Sequence, residues 1–275
     1  MTGLLFRCVL GGAVTLAVGF LVLPIVAIFA RLSPAEIADT FASDVFRDAL
    51  TVTLATTSVA QAIILAVGTP AAYLLAMRTF PGRSVVLTLL ELPLVLPPAV
   101  AGIGLLAAFG RLGLLGGSLT ALGFEVAFTR VAVVLAIVFV AGPFYLRSAV
   151  AAFGAVDPLL VEAARTLGSS PPRTFRRIAL PLAASGLGAG AALSFARGIG
   201  EFGATIMFAG SLQGVTQTLT LAVYEQFDLA FDVALAIGAL LVLVSGSLLL
   251  GVKLIPRWLF STSTSPIPSP RSISS

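Results

Sequence analysis

Apolar runs of about 20 residues recur along this chain from Val9 to Val252, and most charged residues gather in the shorter segments between them. That alternation constrains the fold more than any motif does. A helix of about 20 apolar residues crosses the hydrocarbon layer, and only a helix or a closed barrel satisfies its backbone polar groups there. Charged residues make up 10% of the chain and hydrophobic ones 58%. A soluble domain carries roughly 25% charged residues, so this surface cannot mostly face water. The expected class is an all-α membrane protein with about six transmembrane helices.

The spans are expected at residues 9–30, 50–77, 84–109, 131–150, 181–200 and 229–252. The first follows Arg7, as a signal peptide would. Its apolar run exceeds the roughly 7–15 residues of a signal core and no small-x-small site closes it, so an uncleaved helix is expected. An acidic loop, 31–48, follows. The early half of the second span carries Thr51, Thr53, Thr56, Thr57 and Ser58, whose hydroxyls can bond their own helix or a neighbour. The third contains Glu91 and is broken by Pro93, Pro97 and Pro98. Residues 201–228 read as a partly apolar re-entrant segment or loop. Beyond Trp258 the Ser/Thr/Pro tail lacks apolar content and is expected to be disordered. Three regions result: 1–48, the first helix with an extracytoplasmic loop; 49–255, the transmembrane core; and 256–275, a cytoplasmic tail.

The net charge of +4 is explained by cytoplasmic loops, with no nucleic-acid partner required. Arg7, Arg78, Arg83, Arg147, Arg165, Arg173, Arg176, Arg177, Lys253, Arg257 and Arg271 fall on one side. Arg31, Arg47, Arg111 and Arg130 fall on the other, and Arg197 lies within a span. The positive-inside rule places both termini and the 151–180 loop in the cytoplasm. The chain lacks histidine and has one cysteine, Cys8. This removes His-based triads, His-ligated metal sites and internal disulfides. Neither a catalytic nor a metal site is expected, and there is no Gly-x-x-x-x-Gly-Lys-Ser/Thr phosphate loop.

In the cytoplasmic loop, Asp157-Pro158 reads as an N-cap with proline at the first helical position, and Gly168 as the terminating glycine. Leu160, Ala163, Ala164 and Leu167 then share one shallow apolar face, flanked by Glu162 and Arg165. Such a helix lies on lipid, on its own bundle or in a groove of a partner. Ser170-Pro171-Pro172 starts a second short helix, with Arg173, Arg176 and Arg177 outward and Phe175 and Ile178 inward. In the fifth span Gly186, Gly190, Ser194 and Gly198 recur every four residues, a row that admits close helix packing. Arg197 and Glu201, at i and i+4, either pair with each other or face a translocation path.

Glu162-Ala163-Ala164, Gly168, Ile178 and Leu180-Pro181 stand at the spacing of the EAA loop, and the segment resembles that loop in permease subunits of bacterial ABC importers. The resemblance implies the MetI-like ABC permease fold. It also implies that Glu162, Ala163, Ala164, Arg165, Thr166, Leu167 and Gly168 form a coupling helix in a cleft of a separate ATP-binding subunit. ATP-Mg would sit on that partner and none on this chain. The segments 92–98, 109–113, 195–205 and 217–224 resemble molybdate permeases, a family of inner-membrane components of binding-protein-dependent transport. Sulfate/thiosulfate permeases share the Phe195-Ala196-Arg197 and Gly200-Glu201 features. The implied assembly holds a second copy of this chain, two ATP-binding subunits and an extracytoplasmic oxyanion-binding protein in the bacterial inner membrane. The path for molybdate or tungstate would involve Pro97, Pro98, Arg197, Glu201, Phe202, Gly203 and Thr205. A secondary transporter should instead show inverted repeats with coupling acids at matching helix breaks, and no convincing repeat is visible.

Overall fold

The computed structural model describes residues 2–259. Thirteen α-helices are described: α1 (Thr2–Ala30), α2 (Pro34–Ala42), α3 (Asp44–Met77), α4 (Arg83–Glu91), α5 (Pro98–Phe109), α6 (Gly116–Ala121) and α7 (Arg130–Gly154). They continue with α8 (Pro158–Thr166), α9 (Pro171–Thr174), α10 (Leu180–Ile199), α11 (Gly203–Ala209), α12 (Leu219–Leu229) and α13 (Phe231–Leu259). Five helices among the described residues are long and apolar enough to cross a membrane: Leu5–Ala30, Asp44–Met77, Arg130–Gly154, Pro171–Ile199 and Phe231–Gly251. The remaining expected span, 84–109, is a bent pair, Arg83–Leu94 with Pro98–Phe109, turned by 111°. Pro98 forces the residue before it away from helical geometry, and Pro97 stands at φ −55°, ψ 132°. The proline break expected in this span is therefore a sharp corner.

Hydropathy placed the cores of the spans and missed their ends. α3 begins at Asp44 because the Ser43 hydroxyl accepts the Phe46 N–H at 3.3 Å, a cap that lies outside the apolar run. The acidic loop is largely helical too. In α2, Ser33 and Glu36 bond reciprocally at 2.7 and 3.2 Å, and the Ser33 backbone amide, followed by its hydroxyl, holds the Glu36 carboxyl below its usual range. At the other end α13 continues through Leu259, so the boundary between core and tail at 255/256 is not a helix end. The tail from residue 260 onward, with its expected disorder, lies outside the described residues.

α7 is the centre of the bundle, burying Ala132, Val133, Ala136, Ile137, Val140, Ala141, Tyr145, Ala149 and Phe153. α3 and α10 pack along it. A Cβ at Gly186 would meet the Ala152 Cβ at 2.5 Å, and one at Gly190 the Ser148 Cβ at 2.6 Å. One at Gly198 would meet the Ile137 Cγ2 at 2.9 Å. Ser194, in the same row, donates its hydroxyl to the Ala141 carbonyl at 3.0 Å. The four-residue row is thus the contact surface between α10 and α7. Gly68 makes similar room for the Tyr145 ring, whose hydroxyl lies 2.6 Å from that of Thr69.

This packing predicts a contrast between two glycines two residues apart, on opposite sides of α10. Alanine gains up to about 1 kcal/mol over glycine in a helix, and at Gly188 an added Cβ meets nothing within 4 Å. Gly188→Ala should therefore be neutral or stabilising. At Gly186 the neighbour is a rigid methyl, and overpacking of about 1–3 kcal/mol outweighs the propensity gain. Thermal unfolding in detergent should fall for Gly186→Ala alone; equal shifts for both variants would contradict the packing account.

α1 is almost wholly exposed and packs chiefly on α13. Leu16, Phe20, Leu21 and Leu23 on it are each more than 65% exposed. An apolar surface of that extent needs lipid or a protein partner.

Candidate functional site

The chain carries two candidate regions, one at each end of the helix Pro171–Ile199. At the first, the Asp157 Oδ1 accepts the Leu159 N–H at 2.9 Å and Pro158 occupies the first helical position of α8. The helix ends at Gly168, where φ is +82°. The Gly168 N–H bonds the Arg165 carbonyl at 3.0 Å and the Ser169 N–H bonds the Ala164 carbonyl at 2.9 Å, which is the Schellman pattern that favours glycine. Both helix ends are therefore as the residues indicated.

The apolar face differs from the expected one. Val161 and Ala164 turn inward at 6% and 9% exposure, whereas Leu160 and Leu167 stand 48% and 88% exposed. Leu159, Glu162, Ala163, Arg165, Thr166 and Gly168 are also exposed. The expected face Leu160–Ala163–Ala164–Leu167 is thus split. Val161 with Ala164, at i and i+3, rests on the chain's own core, and the remaining positions are free. Ala164 consequently has no open surface for a partner. Beneath α8, Phe175 meets Tyr73 with centroids 4.8 Å apart, and Tyr73 meets Phe153 at 5.3 Å. This triad ties the loop to α3 and α7. Phe175 was legible as an inward residue, but Tyr73 and Phe153 carried no local signal of pairing with it.

A π turn, Phe175–Ala179, joins α9 to α10. Arg173, Arg176 and Arg177 are exposed as expected, while Ile178 is half-buried.

At the other end of α10 the helix stops at Ile199, and the chain resumes as the short helix α11. The Arg197 Nη2 lies 2.7 Å from the Glu201 Oε2, and the Glu201 side chain is 1% exposed against 27% for Arg197. The second carboxylate oxygen of Glu201 accepts the Ala204 N–H at 2.7 Å, capping α11. The Glu201 carbonyl accepts the Thr220 hydroxyl at 2.6 Å. Thr53 donates to the Ala49 carbonyl at 2.7 Å and accepts the Leu219 N–H at 2.8 Å. Both uses expected of the threonines in the second span therefore meet in one residue. The ion pair between Arg197 and Glu201 is formed, and Glu201 is in addition the cap that orients α11.

The other residues assigned to the path fall close by. Gly203 packs so tightly on Pro98 that a Cβ would sit 2.6 Å from the proline Cβ. Gly102 meets α11 in the same way, with the Ala204 carbonyl oxygen 2.6 Å from its would-be Cβ. The two half-helices α5 and α11 are thereby fixed against each other. Phe202 is half-buried and faces Tyr224 at a centroid distance of 5.0 Å. Pro97 and Pro98 are exposed. Thr205 is fully buried, so its hydroxyl is closed to an anion in this conformation. Thr220, Tyr224 and Thr53 complete this region and were not singled out as path residues from the sequence: Thr53 lies on a helix distant in the chain, and Thr220 and Tyr224 carry no local signal of contact with Glu201 and Phe202.

A loop on the same side is braced from three helices. Gln213 donates to Asp48 at 3.0 Å, Arg130 to the Gly214 carbonyl at 2.7 Å, and Ser211 to Glu225 at 3.1 Å. The 201–228 segment is therefore short helix, ordered loop and helix. Among the described residues the other ion pair is Arg147 with Glu91 at 4.0 Å, both well exposed, a geometry that contributes little.

Comparison with known proteins agrees with this architecture. Residues 68–257 match the family model of the binding-protein-dependent transport system inner membrane component. The Molybdenum transport system permease protein ModB of Mycobacterium tuberculosis is 41% identical over 85% of this chain and 88% of its own length. A probable sulfate transport system permease protein of Chlorokybus atmophyticus is 33% identical over 86% of this chain and 84% of its own. Among solved structures, the bacterial alginate ABC transporter in complex with its alginate pentasaccharide-bound periplasmic protein aligns with a TM-score of 0.73 at 18% identity, covering 92% of this chain and 94% of that one. The MetNI methionine ABC transporter aligns at 0.58 and 22% identity, covering 76% and 93%. The fold is that of ABC importer permeases, and the chain belongs to the family of inner-membrane components of binding-protein-dependent transport systems.

Proposed function

We propose that this chain is the membrane-spanning permease subunit of an ATP-driven importer of molybdate or the similar oxyanion tungstate. The observation that carries the reading is the 41% identity to a molybdenum permease over most of both chains, against 33% to a sulfate permease. Sulfate/thiosulfate import is the second reading, since both relatives cover comparable lengths.

In this reading ATP-Mg is bound and hydrolysed on two separate subunits, and a second copy of the chain completes the pore. An extracytoplasmic binding protein delivers the anion. The exposed positions of α8, with Gly168 closing it, engage the ATP-binding subunit. The Phe175–Tyr73–Phe153 contact carries its movement into α3 and α7. Arg197, Pro97, Pro98, Phe202 and Gly203 border the path, and Glu201 positions Arg197 and α11 rather than meeting the anion. Residues 1–48 and 49–255 act as outer helix and core, with both termini cytoplasmic. A permease of this design needs a path without a deep trap, since selectivity is set before entry. One half-buried cation held partly neutral by the buried Glu201 meets that need.

The test is ATP-dependent uptake in proteoliposomes containing the cognate binding protein and ATPase subunit, with molybdate, tungstate and sulfate in turn. Saturable molybdate or tungstate uptake at least tenfold above sulfate is expected. Preference for sulfate would move the chain to the second reading, and uptake without ATP would sink both.

A further inference from the structure

We propose that Arg173, Arg176 and Arg177 form a binding site for a tetrahedral oxyanion at the cytoplasmic mouth of the path. The three residues stand at i, i+3 and i+4, which places them on one face of a helix. With Ser170 and Pro172 they line a cavity of about 440 Å³. Among the described residues no carboxylate lies within 4 Å of any of these guanidiniums, the ion pairs there being Arg197–Glu201 and Arg147–Glu91. Three unneutralised cations crowded onto one turn repel one another, and a shared anion removes that repulsion. Guanidinium groups present paired donors that match phosphate-like oxygens. The π turn Phe175–Ala179 begins inside the cluster, and single π turns of this kind occur often at functional sites.

Placement gives the site its role, and this step rests on the importer reading above. The cluster and Arg197 sit at opposite ends of one apolar helix, Pro171–Ile199, about 36 Å apart along its axis at 1.5 Å per residue. Between them the exposed positions of that helix are Pro181, Leu182, Ala184, Ser185, Gly188 and Leu193, all of them uncharged. An anion leaving Arg197 meets no intervening cation on this helix before the cluster. Positive potential at the exit draws a dianion inward without a trap midway. Three cations that served only to face lipid headgroups would spread along the interface and need no common cavity.

The test is equilibrium titration of molybdate and of inorganic phosphate into the full-length protein in phosphatidylcholine nanodiscs, and again with phosphatidylglycerol added. R173Q/R176Q/R177Q is compared with wild type and with the all-lysine triple variant. Expected is binding of both anions in both lipids, at least tenfold weaker in the glutamine variant and partly restored by lysine. Equal affinity in wild type and the glutamine variant overturns the site. Binding abolished by phosphatidylglycerol makes a lipid headgroup the occupant, which also overturns it. So does intact anion binding with loss of the co-purifying ATPase subunit, which would make the cluster a protein contact. The titration involves no transport, so its failure is distinguishable from failure of the importer reading in the uptake assay.

Discussion

Leu167→Asp is expected, on the proposed docking of α8, to strip an ATP-binding subunit from this permease while leaving the permease folded. Leu167 is an apolar side chain 88% exposed at the end of a helix fixed at both termini, by the Asp157 cap and the turn at Gly168. It contributes nothing to the core, so its replacement should cost the isolated chain within about 0.5 kcal/mol, as for surface changes elsewhere. In a complex the same side chain would be desolvated, and a charge forced into that contact costs about 2 kcal/mol or more, or roughly thirtyfold in affinity. Ala163→Arg should act similarly through bulk on an exposed position. Ala164→Arg serves as the contrasting variant. Ala164 is buried against the chain's own core, so its loss of partner would come with a lowered unfolding temperature. Co-purification of the ATPase subunit, measured beside thermal unfolding of the permease, separates the two causes. Wild-type recovery of the ATPase with Leu167→Asp would remove α8 from the interface.

How much of this was legible in the sequence depended on whether the physics was local. The caps at Asp157 and Gly168, the proline corner at Pro97-Pro98 and the packing row Gly186–Gly198 each rest on a backbone preference or a helical period, and each was readable from neighbouring residues. The inward face of α8 was not. Leu160, Ala163, Ala164 and Leu167 satisfy helical spacing as well as Val161 with Ala164 does, and only the position of the rest of the bundle selects between them. In a membrane protein hydrophobicity does not mark the interior, because lipid accepts an exposed leucine as readily as a core does. The same limit hid the burial of Thr205 and the bond from Leu219 to Thr53. Those depend on contacts between elements far apart in the chain, α11 with α5 and α7 and α12 with α3, which one sequence does not display. The pairing of Arg197 with Glu201 was readable at i, i+4, but the cap on Ala204 required seeing that the helix restarts at Gly203.

That second role gives Glu201 the largest expected effect among the path residues. Glu201→Ala leaves the Arg197 guanidinium without its carboxylate and the Ala204 N–H without its acceptor. Breaking a buried pair from one side costs about 3–5 kcal/mol, with the low end apt here because Arg197 is 27% exposed. An orphaned N–H adds about 1–3 kcal/mol. Those sums approach the whole stability of a typical domain, so Glu201→Ala should be recovered from membranes in small amounts and unfold early. Glu201→Gln keeps an oxygen for Ala204 but turns an amide NH2, a donor, towards Arg197, so it loses the ion pair and keeps the cap, placing it between wild type and Glu201→Ala. Arg197→Ala combined with Glu201→Ala removes the stranded cation and should recover part of the loss, since the two residues act as a unit. Uptake by the double variant then tests the path. Compared at equal amounts of folded protein, its ATP-coupled molybdate uptake should stay below about a tenth of wild type, a barrier increase of roughly 1.4 kcal/mol for an anion that no longer meets a cation. Full uptake by a folded double variant would make the pair purely structural and leave the path to the backbone of the broken helices.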